Sequence, residues 1–67
     1  MKHRVKELRA AFGWTQEELS EKLGVSRQTV ISIENGRYNP SLELAYKIAK
    51  AFGRTIEDVF IFEEDET

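Results

Sequence analysis

Cysteine is absent from the 67 residues, which excludes a disulfide framework and any thiolate metal site. Histidine occurs once, at position 3. A lone histidine beside a chain terminus reads as a solvated side chain, not as a metal ligand or a proton shuttle. No apolar run approaches the roughly 18 residues that cross a bilayer, and no signal-peptide core is visible. A cytoplasmic chain with no membrane partner is expected. The single proline, Pro40, cannot sit inside a helix and marks a connection. There is no nucleophile–base constellation and no phosphate-cradling glycine loop, so the chain is not expected to be an enzyme, and neither cofactor, metal nor small-molecule ligand is expected.

What is present is enough for one small domain. A chain of 67 residues holds one compact core and is expected to lack a second, ligand-sensing domain. Such a domain folds alone only when its helices are well capped and packed, or when association adds buried area. The net charge of −2 does not advertise a polyanionic partner, but the distribution is uneven. Residues 1–40 carry seven basic and five acidic side chains, and residues 41–67 three basic and seven acidic. Glu63, Glu64, Asp65 and Glu66 form an acidic C-terminal tail. The expected organisation is a domain over 1–62 and a tail over 63–67.

Gly13, Gly24, Gly36 and Gly53 each follow an apolar-periodic run and read as helix ends. Thr15 with Glu18, and Thr55 with Asp58, have the spacing of a capping box, in which each side chain reaches the other's backbone N–H. Ser26 and Ser41 read as N-caps. The implied helices span roughly 2–12, 16–23, 27–35, 42–52 and 56–61. Apolar stripes support them: Val5, Leu8 and Phe12; Leu19 and Leu23; Val30 and Ile33; Leu42, Ala45, Ile48, Ala49 and Phe52; Ile56, Val59 and Phe60. Trp14 is expected to staple the second helix to the core. The fold class is therefore all-α, a compact five-helix domain, with the option of a short C-terminal strand.

The second and third helices carry the functional signal. One ends at Gly24 and the next begins after Ser26, and so short a turn forces the sharp angle of a helix-turn-helix. Ser20 supplies the small side chain that close helix approach requires. Here the chain resembles the lambda-repressor-like family, the Xre or Cro type of helix-turn-helix regulator. The resemblance runs from Val5 to Phe60 and is strongest in TQEELSEKLGVSRQT, IENGRYNPSLELAYKIAKAFG and TIEDVF. Ser20 stands where the family usually has alanine. The resemblance implies a sequence-specific transcriptional regulator of double-stranded DNA, prokaryotic and nucleoid-associated, and a homodimeric repressor on a two-fold symmetric operator.

Helical geometry places Val30, Ile33 and Glu34 on one side of the third helix, and Gln28, Thr29, Ser32 and, more obliquely, Asn35 on the other. Arg27 lies at its first turn. Arginine can bind guanine, and glutamine adenine, through two hydrogen bonds. The family places this helix in the major groove. Gln16, at the first turn of the second helix, is where the family contacts the DNA backbone. The family's loop at Arg37, Tyr38 and Asn39 lies along one strand, setting register without specifying sequence. The family also pairs Arg9 with Glu34 as a partly buried structural ion pair. Ile31 either packs against a neighbour or touches a thymine methyl, and Asn35 is read mainly as a helix-end residue.

The run Val59-Phe60-Ile61-Phe62 has more apolar surface than one helical turn buries. Phe60 is expected in the core, with Ile61 and Phe62 forming a dimer interface. A short strand pairing with its symmetry mate is the option this segment offers. Two other readings remain open: a DNA-binding antitoxin or autoregulator working with a protein partner, and a protein-interaction module on the same fold. The polar outward set weighs against the last, since an interaction helix normally displays apolar anchors.

Overall fold

The computed structural model describes residues 2–61. Five helices follow one another: α1 (Val5–Ala11), α2 (Gln16–Leu23), α3 (Arg27–Glu34), α4 (Leu42–Ala51) and α5 (Ile56–Val59). Two short strands, β1 (Lys2–His3) and β2 (Phe60–Ile61), flank them. Local chemistry sets most boundaries. Thr15 and Thr55 each complete a capping box, with Glu18 and Asp58 returning a bond to the cap backbone. The hydroxyls of Ser26 and Ser41 accept from the N–H groups of Thr29 and Leu44. Gly24 ends α2 at φ 74°, a left-handed conformation that lets the chain turn within two residues into the cap of α3.

The core among the described residues is built from the expected stripes without Phe12, which is 45% exposed, and Leu42. Val5, Leu8, Leu19, Leu23, Val30, Ile33, Ala45, Ile48, Ala49, Phe52, Val59 and Phe60 are buried, and Trp14, Val25, Leu44, Ala51 and Ile56 pack against them. Ser20 is buried too, and its Oγ donates to the Glu17 carbonyl at 2.7 Å, so the hydroxyl is satisfied where α2 lies close to α3. Trp14 staples α2 as expected. Its ring stacks on Phe52 with centroids 5.5 Å apart and meets Phe12 at 4.8 Å.

Several expectations are corrected. The first helix begins at Val5, not at residue 2, because Lys2 and His3 are extended and pair antiparallel with Ile61 and Phe60. The fifth helix stops at Val59, not at 61. The expected C-terminal strand is present, and among the described residues it pairs with the N-terminal strand of the same chain. Leu42 leaves the core stripe and is 78% exposed; burial of that stripe begins one turn later, at Ala45.

His3 is corrected as well, since it is docked and not solvated. Its Nε2 lies 3.0 Å from the Ile33 carbonyl, and its Nδ1 accepts from the Val5 N–H at 3.3 Å. Both contacts are satisfied by the tautomer with its proton on Nε2. The ring also meets Phe60 edge-on at 5.9 Å. A two-residue ribbon is marginal alone. Buried Phe60, the His3 bonds and the Arg4 N–H donated to the Val59 carbonyl at 2.8 Å hold this one.

Candidate nucleic-acid interface

The third helix is amphipathic in the manner its spacing predicts. Val30 and Ile33 are 1% exposed and face the core, while Arg27 and Gln28 are exposed at its N-terminus. Ser26, Gln28, Thr29, Ser32 and Tyr38 line one shallow depression on the outer side. Four residues singled out in the sequence, Gln28, Thr29, Ser32 and Tyr38, are thus brought together by the fold. Tyr38 comes from the loop after α3 and is 46% exposed. The Thr29 hydroxyl lies 3.0 Å from the Ser26 Oγ, so it is oriented by the residue that caps the helix. Arg37 and Asn39 are exposed in the same loop.

A buried polar lock fixes the inner side of α3. The Glu34 side chain is only 3% exposed, and Arg9 holds it through Nε to Oε2 at 2.7 Å and Nη2 to Oε1 at 3.3 Å. The Arg9 Nη1 donates to the Trp14 carbonyl at 2.8 Å. The ion pair implied by the family resemblance is therefore present. Gln16 joins it by donating Nε2 to Glu34 Oε1 at 3.1 Å. Its position at the start of α2 is as expected, but sequence spacing gives no sign of the bond to Glu34, which joins residues 18 apart that only the helix–helix angle brings together. With this bond α1, α2 and α3 meet at one carboxylate.

Ile31 is half-buried at the edge of α3, and Asn35 ends the helix, its side chain exposed. Ile61 is 39% exposed on β2 and shares a shallow groove with His3, Asn35 and Gly36, beside the C-terminal end of α3. Phe62 and the tail 63–67 lie outside the described residues. Among the described residues no group of histidine and carboxylate side chains is arranged to hold a metal ion, and no helix is long and apolar enough to cross a membrane.

Comparison with known proteins agrees with this geometry. A helix-turn-helix family model matches residues 5–59. An uncharacterised HTH-type transcriptional regulator of Methanocaldococcus jannaschii is 62% identical over 66 residues, covering 98% of this chain and all of that protein. The crystal structure of the restriction-modification controller protein C.AhdI from Aeromonas hydrophila superposes with a TM-score of 0.80 at 37% identity, over 85% of this chain and 86% of that one. The master regulator for biofilm formation SinR, solved in complex with DNA, gives a TM-score of 0.75 at 31% identity, over 81% of this chain and 87% of that one. With a helix-turn-helix set by Gly24 and Ser26, a polar outer face on α3 and these relatives, the chain belongs to the lambda-repressor-like, Xre/Cro-type helix-turn-helix family of DNA-binding transcriptional regulators.

Proposed function

We propose that this chain is a repressor that acts as a homodimer on a two-fold symmetric operator, with α3 in the major groove. The observation that carries this reading is the division of α3 into a locked inner face and a free polar outer face. Arg27 and Gln28 read base edges at the helix start. Thr29 and Ser32 lie behind them on the same face. Gln16, Arg37, Tyr38 and Asn39 hold the phosphate backbone and set register.

The proposed dimer forms through β2 and the residue after it. Among the described residues β2 has β1 on one edge and no strand on the other. That edge, with Ile61 and Phe62, is the face offered to a second copy. Its position beside the end of α3 couples the interface to the reading helix, and a two-fold axis there can set two recognition helices about 34 Å apart, one DNA turn. In this reading residues 1–62 are the DNA-binding domain, and the acidic segment 63–67 stays clear of the phosphates.

Binding-site selection from random duplexes, followed by titration of the selected site, tests the proposal. Arg27→Ala and Gln28→Ala are each expected to weaken that site by about 1–3 kcal/mol and to leave the fold intact. If both variants bind selected and random duplexes as the parent does, α3 is not the reading element.

A further inference from the structure

We propose that the groove between the C-terminal ends of α2 and α4 is a docking site for an acidic segment of a partner protein, one that combines carboxylates with an aromatic or aliphatic side chain. Trp14, Lys22, Tyr46, Lys47, Lys50 and Ala51 line it. Among the described residues three cations and no carboxylate meet there, in a chain whose acids outnumber its bases by 12 to 10. Among the described residues none of the three ammonium groups is in an ion pair. The Lys22 ammonium rests 4.5 Å from the centre of the Trp14 ring, and that of Lys50 lies 5.9 Å from Tyr46. These rings hold the cations on one side and leave the other open to an incoming anion.

The helix dipole accounts for basic residues in the last turns of α2 and α4, where Lys22 and Lys50 sit. Lys47 has no such role. Tyr46 is 54% exposed, and Trp14 is fixed from below by its stack on Phe52. The groove thus combines a rigid aromatic floor with a rim of cations, the complement of an acidic segment bearing an apolar anchor.

A continuous polyanion suits it less well. Glu18 and Glu21 share the adjoining depression with Trp14 and Lys22, and Glu57 lies beyond Lys50 and Arg54. A polyphosphate crossing the groove meets these carboxylates, whereas a peptide can place its acids only where lysines wait. The position also separates the groove from the surface assigned to DNA. Lys22 lies six residues, about 9 Å along the axis, beyond Gln16 on α2. Lys47 and Lys50 occupy the half of α4 away from the loop carrying Arg37, Tyr38 and Asn39. Duplex and partner can be held together.

Trp14 is the only tryptophan and reports on the groove directly. The test titrates the full chain, without DNA, with a short peptide of Glu-Glu-Phe repeats and follows Trp14 emission. A saturable change is expected. The double variant Lys47→Gln/Lys50→Gln is expected to weaken it about tenfold, the sum of two exposed charge contacts. Its thermal melt should match the parent's. Absence of a saturable change overturns the proposal. So does equal binding of a Gln-Gln-Phe peptide, which would make the groove merely apolar, or tighter binding of an oligothymidylate of equal length, which would make it a nucleic-acid site. A second titration on the duplex-bound protein should give the same peptide affinity. Displacement by the duplex would refute the separation of the two surfaces. Because the first titration contains no DNA, its failure is distinct from failure of the repressor reading.

Discussion

Arg9→Ala is expected to cost about 3–5 kcal/mol of folding stability, the range for breaking a buried pair by removing one partner. The burial of Glu34 decides the magnitude. An exposed ion pair is worth about 0–1 kcal/mol, but the Glu34 side chain is 3% exposed and that of Arg9 15%. Without the guanidinium, the carboxylate retains one side-chain donor, the Gln16 amide at 3.1 Å, and the Trp14 carbonyl loses its bond from Arg9. A domain of this length has about 3–10 kcal/mol of total stability. The variant should therefore sit near its unfolding threshold, with a midpoint lowered by about 12–40 °C. The double variant Arg9→Leu/Glu34→Leu removes both charges and should recover at least half of the loss, since an apolar pair can replace a buried ion pair. Urea and thermal unfolding of the parent, Arg9→Ala, Arg9→Leu, Glu34→Leu and the double variant, followed by circular dichroism, yield the loss and, from the three leucine variants, the coupling energy. A loss below about 1 kcal/mol for Arg9→Ala, or single losses that simply add in the double variant, would refute the reasoning.

Three further outcomes can be checked. Arg37→Ala should weaken binding to all duplexes alike and reduce the salt slope by about one, as for a lost phosphate contact; a loss confined to the selected operator would make Arg37 a base reader. Ile61→Asp and Phe62→Asp should each shift sedimentation equilibrium from dimer to monomer, and a parent that is monomeric throughout the accessible concentration range removes the proposed interface. The Asp58 carboxyl is held below the ordinary carboxylate range, chiefly by the Thr55 backbone N–H, then by the Thr55 side chain; desolvation opposes them, and Arg54 and Arg4 add smaller contributions. Because its folded-state value is depressed, the carboxylate stabilises the fold fully above the unfolded value and loses that contribution as pH falls through the folded one. The stability gap between the parent and Asp58→Asn should therefore be open at neutral pH and close on acidification; a gap that widens in acid reverses the sign and defeats the assignment.

The sequence by itself determined the features that depend on neighbours a few residues apart. Thr15 and Glu18, Thr55 and Asp58, Ser26 and Ser41 specify helix starts because a side chain three residues from a free N–H can reach it in one geometry. Gly24 and the apolar spacing of α2 and α3 fixed the turn and the division of α3 into a core face and a polar face. Arg9 with Glu34 was legible only through the family resemblance, since 25 residues separate them. Tertiary structure alone decided where β1 and β2 meet. A strand of two residues carries no periodic signal, so Lys2 with Ile61 and His3 with Phe60 could not be paired from spacing. His3 became a structural residue because β1 sets its ring against Phe60 and its nitrogen near the Ile33 carbonyl, 30 residues away. Leu42 left the core for the converse reason: helical spacing says which residues share a face, but only the packed neighbours decide how far along the helix that face is covered.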